Sequence, residues 1–413
     1  MSRLDWLSRD GRTLLVTRGL RTFGYGYLAV ILGLYLGALG LGGVLIGLVF
    51  TAAIAGSAVM TVAWSLVADR YGRRRTAMTM AGLMAAGGLL FGLTDHPALL
   101  LLAAFTGTIS ATSSEVGIFN TIEQAILPQT ASAERRTLAF SVYNLVGSFA
   151  GAAGALMAGS VAFFAGLGLY GADAYRPLFV LYAAIGLANL ALFVTLTDAV
   201  ELARIEGQRR LLGIHRSGGI VARLAGLFAL DAFAGGFVVH AFVAYWFSLR
   251  WGLSPEALGL LFFWVGVLTG LSFLAASWLA GRIGLLNTMV FTHLPSNVLL
   301  MLVPVAPTAW LAVALFLLRM SVSQMDVPTR QAYSMAVVAP DERTATAGIT
   351  NVARATATSF SPALSGWAVS MAVLGLPFIL AGGLKIVYDL AIFATFRRVR
   401  LPEDTDAPRA SGG

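Results

Sequence analysis

The stretch SLVADRYGRRR, Ser65 to Arg75, decides how this chain is read. It separates two apolar runs, at about 42–68 and 76–94, and is too short to be more than a turn between two helices. Gly72 permits the tight reversal, because a residue without a Cβ reaches backbone angles that others avoid. Asp69 can meet the positive N-terminal end of a neighbouring helix. Arg70, Arg73, Arg74 and Arg75 place a dense positive charge at one end of both apolar runs. Asp69, Arg70, Gly72 and Arg73 are therefore candidate gate residues. The plainer reading is a solvated turn whose arginines only set topology.

Composition gives the two flanking runs their meaning. Of 413 residues, 58% are apolar and 12% charged, and the mean hydropathy is +0.80. Soluble domains carry about 25% charged residues, so this chain cannot cover a water-facing surface. A bilayer crossing needs about 20 apolar residues, and the sequence has room for a dozen. The 46 glycines suit helices packed closely in lipid. With no cysteine, disulfides, thiol catalysis and thiolate metal sites are excluded.

Helices are predicted at about 13–38, 42–68, 76–94, 97–128, 137–166 and 177–197, then at 219–249, 255–280, 286–305, 308–338, 344–372 and 377–396. Twelve crossings put both termini on one side. Arg3, Arg9, Arg12, the 70–75 run, Arg204, Arg209, Arg210, Arg216, Arg397, Arg398, Arg400 and Arg409 fall on that side, against Arg176 and Arg250 opposite. Cytoplasmic loops carry the excess of Lys and Arg, so both termini are expected in the cytoplasm. The net charge of +8 reflects topology, and no nucleic-acid partner is expected. One Lys among 27 Arg suggests a GC-rich bacterial source and hence a bacterial inner membrane. The first helix is expected to remain as an anchor, since MSRLDWLSRDGR lacks the pattern of a cleaved signal.

The chain repeats itself. RTLAFSVYNLVGSFAGAAGALMAG at 136–159 aligns with RTATAGITNVARATATSFSPALSG at 343–366, 207 residues on. Glu123-Gln124-Ala125 aligns with Arg330-Gln331-Ala332, and SLVADRYG at 65–72 with SWLAGRIG at 277–284. Between the copies lies TDAVELARIEGQRRLLGIHRSGG, 197–219, the longest polar interruption between helices. The expected organisation is an all-α membrane protein with twelve transmembrane helices in two six-helix bundles. The bundles are 1–197 and 219–396, with a cytoplasmic linker at 198–218 and a cytoplasmic tail at 397–413. Repeats of this kind place a substrate path at their interface near the bilayer midplane.

The 65–75 loop resembles the signature GxLaDRxGRRx of the major facilitator superfamily, with Ser65 in place of the usual Gly. Twelve helices and duplicated halves extend the resemblance over nearly the whole chain. It implies secondary transport by alternating access, with helices 1, 4, 7 and 10 lining the central path. It also implies that Asp69 meets helix 11, which begins near Thr344. The RxxQG signature of proton-coupled drug exporters is absent, since AAFTG at 103–107 has Ala103 at the Arg position, and helix 5 has no proline.

Ionisable groups inside apolar helices are the remaining signal, because each is costly in a membrane unless partnered. Helix 10 carries Arg319, Asp326 and Arg330, and spacings of 7 and 11 place Asp326 and Arg330 each within about 20° of Arg319 around an unbroken helix. They are candidates for substrate binding or coupling, and Asp326 with Arg330 also has the spacing of a structural ion pair. Pro328 predicts a kink beside them. Asp231 in helix 7 and Glu115 in helix 4 lack a cation one turn away, so each is a candidate proton carrier. Arg21 and Glu123 are a candidate gate pair. Lys385 and Asp389 read as an i, i+4 structural pair, and His240 as a packing residue.

Other chemistry finds little support. GLGLYG at 166–171 matches a dinucleotide pattern but follows no strand, and His96, His215, His240 and His293 show no metal spacing. No cofactor, metal or enzymatic activity is expected. The leading expectation is proton-linked efflux of a small organic solute by a monomer in membrane lipid. Uptake of an organic anion or other metabolite is the alternative, and a non-transporting sensor or integral membrane enzyme the remote one.

Overall fold

The computed structural model describes residues 6–112, 117–132, 135–201, 214–339 and 342–398. Over these residues the chain forms seventeen α-helical segments and no strand. They are α1 (Arg9–Ala38), α2 (Gly43–Tyr71), α3 (Arg73–Leu93), α4 (Pro97–Phe105), α5 (Ile118–Ile126), α6 (Arg136–Leu156), α7 (Ser160–Gly166) and α8 (Arg176–Val194). Then follow α9 (Gly218–Gly236), α10 (His240–Trp251), α11 (Pro255–Ile283), α12 (Leu285–Leu302), α13 (Ala309–Ser323), α14 (Asp326–Ala336), α15 (Arg343–Thr358), α16 (Ser361–Ser370) and α17 (Leu376–Phe396). Ten stretches among the described residues are long and apolar enough to cross a bilayer, and α6–α7, α9–α10 and α13–α14 each count as one of them. The interrupted pairs α4–α5 and α15–α16 bring the passages to twelve, in the order read from the sequence.

The interruptions have local causes. Helix 10 breaks at Gln324–Met325 rather than at Pro328 itself. A proline ring clashes with the carbonyl four residues back, which here is that of Gln324. Helix 4, expected to be continuous over 97–128, stops at Phe105 and resumes at Ile118. Gly107 (φ 72°) and Gly117 (φ 141°) lie in that gap with backbone angles that side-chain-bearing residues rarely adopt. Helix 11 divides at Ser359–Phe360, just before Pro362, and α15 carries Thr346, Thr350, Asn351 and Arg354 where an ordinary span would be apolar.

The chain groups into two compact units. The first takes the described parts of Met1–Glu206 together with Val238–Val267 and Pro362–Leu374. In it α3 packs on α8, α1 on α6, and α2 on α4, while α10 lies against α1. Backbones touch at the α2–α16 crossing, where a Cβ on Gly366 would collide with the carbonyl oxygen of Gly43. Thr51 Oγ1 accepts the Ala363 N–H there at 3.1 Å. The second unit takes the described parts of Gly207–Phe237, Leu268–Ser361 and Gly375–Gly413. In it α15 packs on α9, and α12 on α17, α13 and α14. Phe228, Met289, Tyr333, Tyr388 and Phe396 belong to its apolar core.

Candidate functional site

Gly72 makes the turn expected of it, at φ 103°, ending α2 and starting α3. The freed N-terminal amides of α3 are captured by Glu201, whose Oε2 accepts from Arg73 N–H (2.7 Å) and Oε1 from Arg74 N–H (3.1 Å). Such a carboxylate satisfies orphan donors and opposes the helix dipole. Arg73 is buried and donates to the Ala125 carbonyl at 3.3 Å. Thus Arg73 does more than mark topology. Glu201 was not legible as its partner because it lies 128 residues away. The side chains of Asp69, Arg70 and Thr344, and all of Glu115, lie outside the described residues.

Arg21 and Glu123 meet as the sequence suggested, with Nη2 to Oε2 at 2.6 Å and both groups sealed from solvent. Tyr143 Oη donates to the same Oε2 (2.7 Å), Thr17 Oγ1 donates to Oε1 (3.0 Å), and Arg21 Nη1 reaches Asn189 Oδ1 (3.3 Å). The guanidinium lies 4.4 Å from the Phe119 ring centroid. Charge and hydrogen-bonding capacity are both met, which is what lets a buried pair persist.

The second unit holds a larger cluster. Asp231 on α9 accepts from Lys385 Nζ of α17 (2.5 Å), Arg354 Nη1 of α15 (2.8 Å) and Arg330 Nη1 of α14 (3.1 Å). Arg330 also pairs with Asp326, at 2.7 Å. Asp231, which has no cation one turn away on its own helix, is therefore the ionic anchor of three other helices. The expected Lys385–Asp389 pair is replaced as well. Lys385 turns to Asp231, while Asp389 accepts from Asn297 Nδ2 (2.9 Å) and lies 2.8 Å from His293 Nδ1. Spacing along one helix showed that Lys385 and Asp389 could meet, but neighbouring helices offered both better-placed partners.

Arg319 is the exception. It is 8% exposed, its Nε is buried without a hydrogen-bond partner, and Nη1 has only the Met320 sulfur at 3.1 Å. No carboxylate among the described residues bonds it. The break at Gln324–Met325 also removes the single helical stripe on which Arg319, Asp326 and Arg330 were placed. The His240 ring lies beside that of Phe262, with centroids 5.2 Å apart and planes tilted by 56°. Among the described residues no cluster of His, Asp or Glu could hold a metal ion.

The repeat is legible in this geometry. Gly26 packs on the Gly151 carbonyl and Gly236 on that of Thr358, so α1 matches α9 at an offset of 210 and α6 matches α15 at 207. Those offsets pair Arg21 with Asp231 and Glu123 with Arg330.

The comparisons agree with this architecture. The family model of the Major Facilitator Superfamily matches residues 14–362. An uncharacterized membrane protein of Saccharomyces cerevisiae, YJR124C, is 27% identical over 422 residues, covering 94% of each chain. Among solved structures, the nucleoside transporter NupG superposes with a TM-score of 0.72 at 15% identity, covering 94% of this chain and 99% of that one. A D-xylose-proton symporter gives 0.71 at 16%, covering 92% and 96%. A bacterial homologue of the iron transporter ferroportin gives 0.72 at 14%, covering 95% and 99%. At these identities the likeness is one of fold.

Proposed function

The chain belongs to the Major Facilitator Superfamily and is a multi-pass membrane transporter rather than an enzyme, and on that premise we propose proton-linked transport of a small organic solute carrying an anionic group. The halves 1–197 and 219–396, joined by the 198–218 linker, would rock about a central site by alternating access. The location proposed is a bacterial inner membrane, with both termini and the 397–413 tail cytoplasmic and the monomer as the working unit.

Arg319 carries the reading of the solute. Among the described residues the cluster of the second unit holds four cations (Arg319, Arg330, Arg354 and Lys385) and three carboxylates (Asp231, Asp326 and Asp389). Six of these groups have polar partners of their own, which leaves Arg319 to meet an anion. A buried guanidinium is suited to a carboxylate or phosphate because its fork of donors matches two oxygens.

Export is the direction proposed, and uptake of an organic anion is the second reading. Arg319 supports an anionic solute in either case. The test is flux of a panel of labelled carboxylates and phosphate esters in proteoliposomes, under imposed pH gradients of both signs. Flux of an anionic solute that follows the pH gradient and disappears in Arg319→Gln supports the proposal. Transport confined to neutral or cationic solutes, or indifferent to pH gradients, overturns it.

A further inference from the structure

We propose that His293 and Asp389, steadied by Asn297, form a proton-binding site inside the second unit, one helical turn from the cation that holds Asp231. This deepens the proton-linked reading above and rests on it for its role in transport, though not for proton binding itself. His293 is 2% exposed, Asp389 and Asn297 are fully buried, and the imidazole Nδ1 lies 2.8 Å from Asp389 Oδ1. Asn297 Nδ2 donates to the other carboxylate oxygen at 2.9 Å, which fixes its orientation. With Nδ1–H donating to Asp389, the lone pair of the neutral ring is on Nε2. A proton from water adds there and gives an imidazolium held against the carboxylate, so the dyad passes from net −1 to zero. Release from Nε2 restores it. No other atom changes hands.

The internal repeat separates this dyad from ordinary packing. The turn glycines Gly72 and Gly284, at φ 103° and 83°, start α3 and α12, so the two helices correspond at an offset of 212. On that register Ala81 and Ala85 stand where α12 has His293 and Asn297. The segment Asn189-Leu190-Ala191 of α8 corresponds to Asp389-Leu390-Ala391 of α17 at an offset of 200. The first half thus packs α3 on α8 with no ionisable group at these positions. The first half shows that this crossing packs without a histidine or an aspartate at these positions. Pro295, two residues beyond His293, removes a backbone hydrogen bond from α12 and gives the ring a locally weakened helix.

The surroundings connect the dyad to the ion cluster. On α17 itself are Lys385 and Tyr388, the latter with its ring 6.2 Å from that of His293. Against α17 and α12 pack α9 with Asp231 and, further along, Arg223; α13 with Arg319; and α14 with Asp326, Arg330 and Tyr333. Arg354 of α15 reaches the site through Asp231. Lys385 is four residues before Asp389 and bonds Asp231, so it senses the charge of both carboxylates. Neutralising the dyad weakens its pull on Lys385 and leaves that cation to Asp231.

The test needs no solute. The full chain has four histidines, and ring-labelled histidine in lipid nanodiscs gives one NMR signal for each. The His293 signal is the one lost in His293→Gln. On acidification from about pH 8 to about pH 5 it is expected to gain the imidazolium form, with at least about a tenfold loss of proton affinity in Asp389→Asn. In Lys385→Met, which leaves the dyad intact, the midpoint is expected to rise. A His293 signal that stays neutral across that range, or a midpoint the same in all three backgrounds, overturns the proposal and makes the pair a structural tie. Titration as expected, alongside flux indifferent to pH gradients, would keep the proton site and remove the transport reading above.

Discussion

Glu123 and Arg330 occupy equivalent positions of the two halves, 207 residues apart, and each closes a buried ion pair with the first passage of its own half in opposite polarity. Arg21–Glu123 has the cation on the first passage, and Asp231–Arg330 has the anion there. The duplicated backbone preserved the site of a charge pair while the charges exchanged places. The pairs differ in company. Arg21–Glu123 is closed by neutral donors and acceptors, whereas Asp231 gathers two further cations.

Glu123→Gln should therefore destabilise the first unit, because Arg21 is left buried without its counter-charge. The expected loss is about 3–5 kcal/mol, read as a fall in the melting temperature of detergent-solubilised protein. Adding Arg21→Met should recover much of it. A single variant that melts with the native protein would show the pair to be unimportant for stability.

Asp231→Asn should be the most damaging single change in the second unit, since it strips a shared anion from three cations at once. Its effect should not add to that of Lys385→Met. In the double variant one of the stranded cations is gone, so part of the lost stability returns. Strict additivity in a double-mutant cycle of melting free energies would contradict the shared-anchor geometry.

Arg319→Gln should leave the empty protein as stable as before or more so, because no carboxylate among the described residues bonds the cation it removes. Solute affinity should collapse at the same time. A melting curve lowered by several degrees would indicate a hidden carboxylate partner instead of a ligand site.

Glu342 gives a pH dependence outside the membrane spans. The Ser217 hydroxyl and the amides of Arg216 and His215 bond its carboxylate and hold its pKa down to about 2, from an ordinary 4.5. The carboxylate ties the segment before α9 to the start of α15. Because the folded-state pKa lies below the unfolded one, this stabilisation is complete above about pH 4.5 and is lost as pH falls towards 2. Acid unfolding followed by tryptophan fluorescence should have a shallower slope in that window for Glu342→Gln. Identical acid profiles would rule the tie out.

Apolar run length, arginine asymmetry and the 207-residue repeat determined by themselves that this chain makes twelve passages in two related halves. Each of these properties is local or periodic along the chain, and a bilayer admits few other solutions. The Asp326–Arg330 pair was legible for the same reason, since one helical turn fixes both ends. Arg21–Glu123 was legible from the cost of leaving either group alone in lipid. Which partner each remaining charge chose was decided only by tertiary structure. Lys385 left Asp389 for Asp231, Asp389 took His293 and Asn297, and Glu201 reached back across 128 residues to α3. Such choices depend on how far each helix is rotated and which neighbour it meets. Those quantities are set by side-chain packing between helices, and no spacing along a single helix encodes them.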